Sequence, residues 1–226
     1  FDQFTKLTLA EQNDVSALSF NPLVFQQNRT EFESRMAAVL NDPAFVIRER
    51  NTLGDLVPAS DSPLHVPVIY ISPQPENQQA VGYDIYSDPS RKQAIDRSLE
   101  NLNGTVTAPV QLIQDNQNRT GVLLMQPIFN REGQNNPDQR VQGFAVAVIK
   151  VDDMIRIALR EKLNDSMALR LKDADAAKDQ SLFYQTSNWA RSKLTNQYAW
   201  RATISVADRT WQLEMIPTVS YLKEHR

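Results

Sequence analysis

A chain of 226 residues, 41% hydrophobic and 23% charged, is long enough for one large domain or two small ones with cores of their own. A net charge of -3 gives no basic footprint for nucleic acid, and the absence of cysteine removes both a disulfide framework and a thiolate metal site. Twelve prolines against six glycines argue against a glycine-rich phosphate loop, and no apolar run approaches the roughly 18–20 residues of a membrane-spanning helix.

In chain order, a first helix is expected over Asp2–Asn13, with Phe4 and Leu7 on one face. Ser16–Val24 reads as a turn and then a short extended segment. Asn28 can cap the next helix, with Glu31 three residues on, and Phe32, Met36, Val39 and Leu40 form its apolar face. Asn41-Asp42-Pro43 ends it. Strands follow at Ala44–Arg50 and Val66–Ile71, separated by a polar loop over Thr52–Pro63. Asp88 and Pro89 open a helix that runs to Leu102, with Ile95, Leu99 and Leu102 inward and Asn103-Gly104 as its stop.

Three strands come next, at Thr105–Gln114, Gly121–Phe129 and Val141–Ile149. The last two are almost continuously apolar, as central strands are. Asn130–Arg140 is a polar hairpin loop. A helix over Asp152–Asn164 follows, with two aspartates at its N-terminus. Further strands lie at Met167–Lys172, Leu182–Thr186, Tyr198–Val206 and Thr210–Ile216. Trp200, Ala202, Ile204 and Val206 alternate against Trp211, Leu213 and Met215, which predicts a hairpin. This order predicts an α+β fold of two PAS-like units, each an antiparallel sheet with helices and loops on one face, joined by a helix. The units are expected at residues 1–150 and 151–226.

One ordered set of motifs is more specific. It comprises Gly82, Asp84 and Ser87; Pro89 and Arg91; Thr107 and Pro109; and Gly121, Leu124, Pro127, Ile128 and Phe129. With this spacing the chain resembles the CHASE family, the extracytoplasmic sensor domain of transmembrane histidine kinases and nucleotide cyclases. The resemblance implies that Asp84 is a ligand acceptor, since the matching aspartate of the plant members bonds the adenine edge of a cytokinin. A turn or cap role beside Ser87 is the alternative. Met125 stands where those receptors carry a hormone-binding threonine, so a smaller or more apolar ligand is expected. Ile113 matches a position whose backbone contacts ligand, Phe144 an aromatic pocket position, and Tyr70 lies on the strand leading there. Plain core packing is the alternative for Met125, Phe144 and Tyr70.

No catalytic constellation, cofactor or metal site is expected. His65 and His225 lie far apart, and His65 reads as a solvated loop residue. The acidic run from Asp173 to Asp179 reads as a solvated turn, because it lacks the glycine and closing glutamate of a calcium loop. The first residue is Phe1, so the chain is expected to be a fragment whose flanking membrane helices lie outside it. The resemblance implies a periplasmic or extracellular small-molecule sensor, homodimeric in the full receptor. The output expected is a histidine kinase or a diguanylate cyclase or phosphodiesterase. The other reading is a non-catalytic interaction domain of the same fold, its pocket filled by side chains and its input a periplasmic protein.

Overall fold

Val15–Pro22 forms a full strand (β1), longer than the sequence pattern predicts. Its inward positions Ala17, Ser19 and Asn21 are all buried, and two of them are polar, which hides the alternation of a half-buried strand. The computed structural model describes residues 5, 9–10, 14–112, 120–130, 141–159, 166–192 and 197–224. The helix expected over Asp2–Asn13 lies mostly outside them; Thr5, Leu9 and Ala10 are helical. Val24–Phe25 (β2) and the helix Arg29–Val39 (α1) follow, with Phe32 and Met36 buried as their spacing predicts.

Of the expected strand over Ala44–Arg50, only Arg48–Arg50 (β3) is extended and paired, with Leu56–Pro58 (β4). Leu64–His65 (β5) pairs with β2. In the apolar run after it, only Tyr70–Ser72 (β6) joins a ladder. Pro67 has no N–H to give, and its neighbours bond across to the loop at 82–85: Val68 N–H donates to Tyr83 O and Ile85 N–H to Val66 O. That loop is thereby strapped over the sheet. A single turn, Gln74–Asn77 (α2), leads into it. The helix Pro89–Asn101 (α3) has proline in its first turn, and the Asp88 carboxylate accepts from Arg91 N–H at 3.0 Å. It ends at Leu102, which takes the left-handed conformation at φ 55°, one residue before the expected Asn103-Gly104 stop.

Thr105–Val106 (β7), Val110–Gln111 (β8), Thr120–Phe129 (β9) and Val141–Lys150 (β10) complete the first sheet. Its order is β6-β1-β10-β9-β7, with β8 also on β9, and its ladders are antiparallel. Register sets which residues share a face. Asn21 lies opposite Phe144, Ser19 opposite Val146, and Val146 opposite Met125. α3 and the strapped loop cover this face and pack Tyr83, Ile85 and Ile95 against it. At Gly143, a Cβ would stand 2.6 Å from Asn21 O. Glycine is what lets β10 close onto β1 here, beside a bulge in its other ladder.

Helix Val151–Leu159 (α4) follows β10 directly. The second sheet comprises Met167–Asp173 (β11), Leu182–Gln185 (β12), Trp200–Val206 (β13) and Arg209–Pro217 (β14). Its order is β12-β11-β14-β13, again antiparallel. The expected hairpin forms, and its turn uses Ala207 at φ 49°. Two short helices, Trp189–Ser192 (α5) and Val219–Glu224 (α6), complete the described residues. Val106 and Val122, on the far face of the first sheet, share one core with Ile155 of α4 and with Leu169, Phe183 and Trp211 of the second unit. The Phe183 and Trp211 rings meet at 4.6 Å. The fold is α+β with two antiparallel sheets that share this core.

Candidate functional site

Helical spacing carries Arg91 onto the inner face of α3, in line with Ala94, Ile95 and Ser98. It is 3% exposed. Its Nη1 donates to the Tyr83 hydroxyl at 2.9 Å and its Nη2 to Gln111 O at 3.1 Å. Its Nε has no partner among the described residues. The nearest carboxylate is Asp88, whose Oδ2 stands 3.9 Å from Nη1. On β1, Ser19 Oγ donates to Asn21 Oδ1 at 2.7 Å. The Asn21 Nδ2 donor is then left buried with no partner among the described residues.

Both unpartnered side chains line one cavity of about 40 Å³ between the sheet and α3. The rest of its wall is mainly apolar, from Val68, Ile71, Ile85, Leu112, Leu123 and Val146. Leaving buried donors unmet is costly, on the order of 1–3 kcal/mol each. The site therefore favours an occupant that brings acceptors.

The expected site residues separate into three places. Met125 and Phe144 are fully buried on the sheet face that the cavity shares, within the same core. Asp84 is 2% exposed, and protein donors take up its carboxylate. Oδ2 meets His65 Nδ1 at 2.7 Å, and Oδ1 accepts from Val66 N–H at 2.7 Å and Tyr86 N–H at 2.9 Å. It caps the short turn Ile85–Ser87 and holds the loop that supplies Tyr83 and Ile85. Tyr70 is 39% exposed and lines a different, larger cavity of about 790 Å³ with Leu40, Phe45, Arg48 and Val81. Ile113 lies outside the described residues. The larger cavity has no buried unpartnered polar atom on its wall among the described residues, so the smaller one is the stronger candidate.

His65 is not solvated, as its loop position suggested, but fully buried between Asp84 and Gln26. Two residues of the site were not expected there, although Arg91 belongs to the motif set that carries the family resemblance. Asn21 has no motif. Arg91 had a signal: it falls four residues before Ile95 and eight before Leu99, on the apolar face. A charge on that face is the mark of an inward-pointing arginine.

The two units are also clamped by polar groups. Asp208, in the β13–β14 turn, accepts from Arg97 Nε of α3 at 2.6 Å and from Val106 N–H of β7 at 2.9 Å. Arg97 lies six residues, about 1.7 turns, along α3 from Arg91, so one helix touches both the cavity and the second unit. Among the described residues, no group of three His, Asp or Glu side chains is placed to hold a metal ion. No described helix is long and apolar enough to cross a membrane.

Comparison with known proteins gives a family and a fold. The CHASE domain family model matches residues 1–184. The periplasmic sensory domain of the Campylobacter jejuni chemoreceptor Tlp1 is similar in structure, with TM-score 0.50 and 13% identity, covering 97% of this chain and 80% of that one. A methyl-accepting chemotaxis protein X gives TM-score 0.47 and 12% identity, covering 95% and 79%. The ligand-binding domain of the Pseudomonas aeruginosa amino acid chemoreceptor PctB, in complex with L-Arg, gives 0.45 and 10%, covering 98% and 80%. No curated protein matches the chain.

Proposed function

We propose, because the chain belongs to the CHASE domain family of extracytoplasmic sensor domains of signalling receptors, that its first unit senses a small molecule in the cavity under α3. The domain lies on the periplasmic side of the membrane. Residues 1–150 form the membrane-distal unit of this reading and 151–226 the membrane-proximal one. Binding shifts a conformational equilibrium only so far as the ligand prefers one of two states. α3 and the Asp208 clamp carry that shift to the second unit and on to a following membrane helix. The full receptor is a homodimer whose cytoplasmic part is a histidine kinase or a diguanylate cyclase or phosphodiesterase.

One observation carries the reading: Arg91 and Asn21, whose Nε and Nδ2 are buried without partners among the described residues, line the same cavity. Met125 and Phe144 pack in the core beside this cavity and do not line it. The three protein donors on Asp84 support a positioning role for it, in which it aims the loop carrying Tyr83. The second reading, an interaction domain with a filled pocket, draws on the small size of the cavity, about 40 Å³.

Thermal denaturation of the purified domain against carboxylates, amino acids, nucleosides and aromatic metabolites separates the two. A ligand that binds only the folded state adds about 2.7 kcal/mol of stability at a hundredfold excess over its Kd. The sensor reading expects at least one compound to raise the Tm, and Leu123→Phe, which fills the cavity, to remove that shift. No shift from any compound would favour the filled pocket.

A further inference from the structure

We infer that the ligand of this cavity is a short monocarboxylate without an amino group, held by Arg91 and Asn21; the inference rests on the small-molecule reading of the same site. The guanidinium keeps its charge inside proteins, so Arg91 brings a buried cation to the cavity wall. Burying a charge is tolerated when a counter-charge meets it closely. Asp88 does not do so closely, at 3.9 Å from Nη1. The other arginine of comparable burial, Arg209, meets Asp173 at 2.7 Å. Among the described residues, Arg91 is therefore a buried cation without a close counter-charge.

The identity of the free atoms narrows the class. Arg Nε and Asn Nδ2 are donors only. Two unpartnered donors on side chains that line one small space suit the two oxygens of a carboxylate, and the charge on one of them favours an anion over a neutral amide. The Tyr83 hydroxyl, which accepts from Arg91, keeps a proton of its own for the same group. Among the described residues no aspartate or glutamate lines the cavity, and the Asp84 carboxylate is occupied by three protein donors. An ammonium group would find no counter-charge among those residues, which disfavours amino acids. Val68, Ile71, Leu123 and Val146 suit an apolar tail, and the volume of about 40 Å³ keeps that tail short.

Titration calorimetry of the purified domain with propionate, propionamide and L-alanine tests this. Propionate is expected to bind, with propionamide and alanine weaker by about tenfold or more, as loss of charge-assisted hydrogen bonds implies. Asn21→Ala should weaken propionate about tenfold and Arg91→Met should abolish binding. Leu123→Phe leaves both donors in place and should also abolish it, which keeps the test sound if the arginine variant misfolds. Equal binding of propionamide or alanine would overturn the inference, as would propionate binding that survives all three substitutions. If propionate fails while another compound gives a Leu123→Phe-sensitive shift, the carboxylate falls and the sensor stands. If nothing shifts the domain, both fall.

Discussion

Arg91 under the first sheet and Arg209 in the second sheet are 3% and 8% exposed, yet the two regions treat them oppositely. Arg209 Nε meets the Asp173 carboxylate at 2.7 Å, and that carboxylate also accepts from Asp175 N–H, so the pair is closed within the protein. Arg91, on the wall of a cavity, meets a hydroxyl and a carbonyl, and its Nε has no partner among the described residues. A buried charge that is paired in the chain serves the fold. Arg91 is only part-satisfied among the described residues. The second sheet closes its buried charge within the protein, though the Trp189 and Trp211 indole N–H groups of the same unit are also buried without a partner among the described residues.

The comparison breaks most visibly through these two arginines. Arg209→Met should strand Asp173 as an unpaired buried charge and cost about 3–5 kcal/mol in urea unfolding. Arg91→Met, which strands no carboxylate, should cost only about 1 kcal/mol without ligand. Equal losses would erase the distinction. Next comes Asp84→Ala, which leaves the His65, Val66 and Tyr86 donors buried without an acceptor. A loss of about 3 kcal/mol is expected by thermal denaturation, at the low end of roughly 1–3 kcal/mol per unmet donor.

Asp208→Ala should cost less, about 1–2 kcal/mol, since its ion pair with Arg97 is partly solvated. Its signature is faster hydrogen exchange at Val106 N–H, the bond it makes to the first sheet.

The smallest effect is at Glu214, on the second sheet. Burial alone would raise its pKa, but hydrogen bonds and charges from Arg170 and Arg201 outweigh this and hold it below its ordinary value of 4.5. A lowered carboxylate pKa adds stability that is full above that ordinary value and is lost as the pH falls through the depressed one. The difference in urea midpoint between wild type and Glu214→Gln should therefore be flat above pH 4.5 and shrink below it.

α3 was legible from its cap at Asp88 and Pro89, and α1 from the Phe32–Met36 spacing, because both signals are local; the expected Asn28 side-chain cap does not form and Val39 is exposed. The β13–β14 hairpin was legible for the same reason. β1 was not, because the face it buries carries Ser19 and Asn21, and polar residues on an inward face look like a turn. The acidic run at Asp173 read as solvated because its partner Arg209 is 36 positions away. His65 read as solvated because Asp84 is 19 away.

The sequence by itself determined the family, the α+β class and the local elements, all of which depend on short spacings. The tertiary structure alone decided which polar groups are paired and which are left open. Asn21 and Arg91 come to one cavity only because β1 inserts between β6 and β10 and α3 folds back over that face. Whether a buried charge is met depends on where distant strands place its partner, and no local pattern encodes that distance.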